Sequence, residues 1–305
     1  MKINIPKIKI RKNSNTYYLS KYKKRRLFIG AAGILILMLI ICLIAMPSDK
    51  SNDIKTSVSP ASTPKPAPNI PPASVENNLL NIAVNPQTEE GKFCYLTFDD
   101  GPTEKVTPKV LDVLKEYNVK ATFFMLGRMI EQSPDIAKRA YEEGHLLANH
   151  SYSHEYKNLY ESGDSFMEEI NKTNSLISDI SGGYSFKLVR FPGGGNTNGE
   201  YGEKKQEYKK LLQENGYYYA DWNALNGDAE AVNNSPERLL QRVKDTAINN
   251  NIVVLMHDAS TKSTTAESLP SIIEYLKEQG YEFKRLDEVD YYEKNEKSQN
   301  NSMIM

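Results

Sequence analysis

The chain has 305 residues, of which 38 are Lys or Arg and 39 are Asp or Glu, so its formal charge is -1 and its length leaves room for one or two domains. That balance hides a division: residues 1–26 carry ten basic and no acidic side chains, and the rest carries 28 basic against 39 acidic, a charge of -11. An acidic main body argues against nucleic acid as its partner, and the two cysteines, Cys42 and Cys94, lie in separate apolar runs that exclude an intramolecular disulfide.

In chain order, the basic segment 1–26 ends in KYKKRR and is followed by LFIGAAGILILMLIICLIAM, residues 27–46, twenty residues without a charge. As a helix that stretch measures roughly 30 Å, the thickness of a bilayer core, and the basic flank assigns the N-terminus to the cytoplasm. A cleavable signal peptide is the rival; the stretch is long for one, and no A-x-A-like site follows. The expectation is a single-pass membrane anchor with the rest of the chain outside the cell. Residues 47–90 are rich in Pro, Ser, Asn and Ala and carry no apolar period, which reads as an extended tether spanning roughly 35 Å as a coil and about 120 Å in polyproline II. Residues 291–305 read as a frayed tail.

Between them, from 91 to 290, apolar or β-branched runs alternate with amphipathic stretches. The expected strands are 93–98, 121–126, 145–149, 187–191, 217–223, 252–257 and 281–286. Stretches such as TPKVLDVLKEYN and SPERLLQRVKDTAINN read as helices, opening on Ser or Thr followed by Pro. Strand then helix, about seven times over, predicts parallel pairing by crossovers, as a doubly wound sheet or a (β/α) barrel.

The polar residues that can do chemistry fall at the carboxyl ends of these strands, the face where such folds build sites. Asp99 and Asp100 follow the first, His150 and His154 the third, Arg190 ends the fourth, Asp221 and Asp228 flank the fifth, and His257 ends the sixth. Two imidazoles four apart, as in HSYSH, can face one point on a helical turn, and two His with one carboxylate leave coordination positions open for water and substrate. The fourth histidine, His145, reads as structural. The DDGP segment reads either as a plain turn closing a strand or as a working pair, one carboxylate taken by a dication and the other left free as a base.

TFDDGP, HSYSH, RFPGG and LMH, in that order and spacing, resemble the signature motifs of the polysaccharide deacetylases, carbohydrate esterase family 4, over about residues 92–290. The resemblance implies a distorted (β/α)7 barrel resembling the domain of membrane-anchored bacterial peptidoglycan N-acetylglucosamine deacetylases. It implies Asp99 as general base, Asp100, His150 and His154 as metal ligands, and Arg190 as the residue that holds Asp99. It further implies backbone near Gly193 as oxyanion donor, His257 as general acid, and Leu255 against the acetyl methyl. The fourth motif departs from the common pattern: Asp228 is followed by Ala229, and Leu225 stands where an aspartate is frequent. Asp228 carries over as the partner that tunes His257 or braces Arg190, and Trp222 reads equally as a core aromatic or a sugar-stacking one.

The function expected from this is metal-dependent hydrolysis of N-acetyl groups on N-acetylglucosamine of peptidoglycan. Alternatives are another polymer (poly-N-acetylglucosamine, chitin oligomers or acetylxylan) or an inactive carbohydrate-binding module. The expected cofactor is one divalent ion, Zn2+ first, with Co, Ni, Fe or Mn also compatible with the donor set. The expected partners are the glycan and, through 27–46, the membrane; the protein is expected to be a monomer.

Overall fold

A computed structural model of the chain describes residues 90–231 and 234–289. The anchor at 27–46, the tether at 47–90 except its last residue, and the tail at 291–305 lie outside the described residues, among which no helix is long and apolar enough to cross a membrane.

The strands are β1 (Phe93–Asp99), β2 (Thr122–Met125), β3 (Leu146–Asn149), β4 (Leu188–Val189), β5 (Tyr218–Tyr219), β6 (Ala224–Leu225), β7 (Ile252–His257) and β8 (Glu282–Phe283). Interleaved with them are helices α1 (Thr107–Glu116), α2 (Gly127–Gln132), α3 (Pro134–Glu142), α4 (Tyr156–Leu159), α5 (Gly163–Ile180), α6 (Gly202–Glu214), α7 (Pro236–Thr246) and α8 (Ser263–Glu278). Every strand pair is parallel, in the order β5-β4-β3-β2-β1-β7-β6, with β8 added at the start of β1. The expected parallel α/β architecture is therefore present.

Its strand inventory differs from the expectation in two places. The run 217–223 is not one strand: Tyr218–Tyr219 pairs with β4 at one edge, Ala224–Leu225 pairs with β7 at the other, and residues 220–223 bridge the gap. The run 281–286 supplies only β8, whose Glu282 and Phe283 pair with Phe93 and Cys94 below the β1–β2 ladder. The sheet therefore has eight strands where seven were expected, seven along one path and β8 beside β1, because the single apolar run 217–223 supplies two of them.

The bridge also shows that the sheet is curled. Seven strands laid flat would set the edges about 29 Å apart, at roughly 4.8 Å per step. Five residue steps from Tyr219 to Ala224 span at most about 18 Å. The edges are thus brought together by chain rather than by a ladder, with Asn223 accepting from the Val253 N–H (2.7 Å) and donating to the Asn251 carbonyl (2.9 Å).

Alternation along β1 sorts the core into two layers. Cys94, Leu96 and Phe98 face outward against Val110, Leu111 and Leu114 of α1 and Leu269, Ile272 and Ile273 of α8. Tyr95 faces inward with Phe124, Leu146, Ala148, Leu188 and Val253. By the same period Thr97 and Asp99, and on β7 Leu255 and His257, point inward near the carboxyl ends, so the site is the polar top of an apolar interior. A third cluster, including Tyr160, Phe166, Phe191, Tyr208 and Leu212, packs α5 and α6 beside it.

Candidate active site

Asp99 and His257 are register partners at the ends of the adjacent strands β1 and β7. Asp99 is 2 % exposed, and its Oδ1 accepts from Arg190 Nη1 at 2.9 Å. Arg190 is fully buried, and three of its other four N–H donors go to Thr97 Oγ1 (2.7 Å) and the carbonyls of Ala220 (3.0 Å) and Asp221 (3.1 Å), while its guanidinium lies 4.0 Å from the Phe124 ring. Held in this way, the buried cation turns one donor to Asp99 Oδ1, which fixes that carboxylate and leaves its other oxygen facing the site.

Asp100, His150 and His154 offer ligand atoms that all lie within 4.8 Å of one another. Asp100 Oδ1 is 3.7 Å from His150 Nε2 and 3.6 Å from His154 Nε2, and it is buried without a hydrogen-bond partner. Donors about 2.0–2.2 Å from one tetrahedral ion stand about 3.3–3.5 Å apart, so this orphaned oxygen and its two neighbours fit a divalent cation. His150 Nδ1 meets the Arg190 carbonyl at 2.8 Å, which as the donating tautomer leaves Nε2 its lone pair. Burial, and next the neighbouring His150, push the His154 pKa down, favouring the neutral imidazole a metal needs.

The two imidazoles converge differently from the expectation. Residues 150–154 form a bend, not a helical turn, with Ser151 (φ 73) and His154 (φ 60) in the left-handed region, where Asp100 (φ 77) also sits. Such conformations are costly for non-glycine residues and persist only where the surroundings impose them. Here Glu169 of α5 does so, accepting from the N–H groups of Tyr152 (3.2 Å) and Ser153 (3.1 Å) and from the Ser153 hydroxyl (2.6 Å).

On the other side of Asp99, His257 Nδ1 lies 2.7 Å from Asp228 Oδ1, while Asp228 Oδ2 accepts from the His257 backbone (2.8 Å) and from Thr265 (2.8 Å). Burial alone would depress the His257 pKa, but the hydrogen bond and charge of Asp228 outweigh it and raise the pKa to about 9. Of the two partners expected for Asp228, the structure gives His257; Arg190 is braced by Thr97 and backbone carbonyls instead. His145 is buried apart from these groups, its Nδ1 accepting from the Ala121 N–H and its pKa lowered by burial to about 3, in keeping with a structural role.

Gly193 is exposed between buried neighbours in the turn after Arg190, and Leu255 is half-buried on β7 in register with Thr97. Trp222 is half-buried against the inner core, 5.7 Å from the Arg190 guanidinium, and a Cβ on Gly194 would come within 3.0 Å of it. Asp221 accepts from the Gly195 N–H at 2.7 Å.

Several neighbours carry no mark in the sequence. Asp258 is fully buried against the Asp99–Gly101 loop, where a Cβ on Gly101 would meet its Oδ2 at 2.2 Å; burial raises its pKa to about 7 against the opposing bond from Thr107 (2.6 Å). Its place next to His257 was the one available signal. Thr97 opens the TFDDGP motif but takes no role from it, and Glu169 is an ordinary helix residue flagged by nothing local.

A polysaccharide deacetylase family model matches residues 87–220. The chain is 35% identical over 213 residues to a peptidoglycan-N-acetylglucosamine deacetylase of Bacillus cereus, covering 67% of this chain and 72% of that one. The chain belongs to the polysaccharide deacetylase family. It is similar also to a peptidoglycan-N-acetylglucosamine deacetylase of Listeria monocytogenes, 37% identical over 223 residues, which are 71% of this chain but only 44% of that one. Among solved structures it resembles the catalytic domain of a peptidoglycan N-acetylglucosamine deacetylase from Eubacterium rectale, with a TM-score of 0.60, 33% identity, and coverage of 64% of this chain and 89% of that one. As a polysaccharide deacetylase it is a hydrolase acting on N-acetyl amides, and its Asp-His-His group fits a divalent metal.

Proposed function

We propose that this polysaccharide deacetylase removes acetyl groups from N-acetylglucosamine residues of peptidoglycan, with Zn2+ held by Asp100, His150 and His154. The observation that carries the reading is the placement of a fixed carboxylate, Asp99, between that donor set and His257: its Oδ2 is 3.8 Å from His150 Nε2, and its strand neighbour is the histidine. The chemistry the ion supplies is polarisation of the acetamide carbonyl and an acidified water. Asp99 removes the proton from the attacking water as the C–O bond forms. His257, with Nδ1 committed to Asp228, delivers the proton on Nε2 to the amide nitrogen as the C–N bond breaks, so acetate and a glucosamine amine leave. The Gly193 amide donates to the oxyanion, Leu255 faces the acetyl methyl, and Trp222 closes the pocket wall next to Arg190.

Base, acid and ligand set are all present, which supports an active hydrolase over an inactive binding module. The relatives' names support peptidoglycan as the substrate. The basic segment, apolar run and tether fit a membrane-held enzyme whose domain reaches the surrounding wall. The test is acetate release by the zinc-loaded full-length chain from purified peptidoglycan, compared with poly-N-acetylglucosamine, chitin oligomers and acetylxylan. Preference for another polymer overturns the substrate, and no release from any of them overturns the reaction.

A further inference from the structure

The segment Pro192–Gly195 has three consecutive glycines, two of them in the left-handed region (Gly193 φ 73, Gly194 φ 75), so chain entropy alone would leave it loose. It is instead held group by group. The Pro192 carbonyl accepts from Tyr160 Oη at 2.9 Å; the Gly194 carbonyl accepts from Lys205 Nζ at 2.7 Å, with the Gly193 carbonyl 3.5 Å from the same ammonium. The Gly194 N–H donates to the Phe191 carbonyl (2.7 Å), and the Gly195 N–H to Asp221 Oδ1 (2.7 Å). Among the described residues, the Gly193 N–H is the one polar group from the Pro192 carbonyl through the Gly195 N–H without a partner, and Gly193 is exposed while Pro192, Gly194 and Gly195 are buried.

In a trans peptide the N–H points opposite to the preceding carbonyl. Drawing the Pro192 carbonyl inward onto Tyr160 therefore turns the Gly193 N–H outward. Tyr160 is 1 % exposed and packs beside the stacked rings of Phe166 and Tyr208, and burial raises its pKa, so it remains a donor. Lys205 is 7 % exposed, beside the Tyr160 ring at 5.3 Å. A buried ammonium spent on two backbone carbonyls is costly unless the position of those carbonyls matters.

We propose that Tyr160 and Lys205 are positioning residues that hold the Gly193 amide aimed at the oxyanion before substrate arrives. The inference rests on the deacetylase reading for the amide's role, but the clamp itself can be measured without turnover. In the full-length zinc-loaded protein, Tyr160→Phe removes one hydroxyl, Lys205→Met removes the ammonium, and Lys205→Arg keeps a donor. Tyr160→Phe and Lys205→Met should each lower kcat about tenfold or more, with KM and bound zinc unchanged, and Lys205→Arg should recover part of the loss. Hydrogen exchange at the Gly194 and Gly195 amides should quicken at least tenfold in the same two variants. Unchanged exchange in both overturns the clamp whatever the activity. Faster exchange with wild-type kcat in both overturns its catalytic role, as does a loss of kcat that tracks loss of zinc. A wild-type protein inactive on every N-acetyl polymer refutes the deacetylase reading and, with it, the oxyanion role, while the exchange rates still decide the clamp.

Discussion

Two carboxylates adjacent in sequence face different partners because the backbone between them changes hand. Asp99 is the last residue of a strand and points inward to Arg190, while Asp100, at φ 77, turns its oxygen to the two imidazoles. The two aspartates are therefore separable: Asp100→Asn should lose most bound zinc in metal analysis, whereas Asp99→Asn should keep it and lose at least about a hundredfold in kcat. Zinc loss in Asp99→Asn would make that residue a ligand. His257 supplies a pH signature. Its pKa, about 9, lies above the ordinary 6.5, so the stability it contributes is fully present below about pH 6.5 and is lost as pH rises through 9. In metal-free protein, urea unfolding at pH 6 and 9.5 should show that loss, about 3 kcal/mol at most, and Asp228→Asn should remove most of it. The same variant should pull the basic limb of kcat/KM downward; an unmoved limb would mean that His257 is not the acid.

At the scale of elements, the start of α7 is written locally, whereas Thr107 before Pro108 does not cap α1 and the bend of the site loop has no local mark. Ser235 before Pro236 caps α7 by accepting from the Arg238 N–H (3.3 Å), as the Ser-Pro pair predicts. The HSYSH bend depends on Glu169, 15 residues beyond His154 and on another element. Glu169→Ala should weaken zinc affinity about 10- to 100-fold in a chelator competition, though the residue is not a ligand. An unchanged affinity would show that the bend holds its shape by itself.

At the scale of the whole molecule, the curled sheet closes through residues 220–223, and the same bridge furnishes two of the carbonyls that hold Arg190. Closure of the sheet and the placement of Arg190 are thus one structural fact. Asn223→Ala, which strips both side-chain bonds that tie the bridge to the β7 segment, should cost about 1–3 kcal/mol in urea unfolding. A cost near zero would indicate that the bridge is held on β7 without its side-chain bonds.

By itself the sequence determined the alternation of strands and helices, the strand ends that carry polar residues, and the set Asp99, Asp100, His150, His154, Arg190 and His257, because period and motif are local properties of the chain. Only the tertiary structure decided that 217–223 splits across the seam, that Asp228 serves His257 rather than Arg190, and that Glu169, Thr97, Tyr160, Lys205 and Asp258 surround the site. Each of these is a contact between residues distant along the chain, so no local pattern marks it until the sheet has curled and brought both partners to one end.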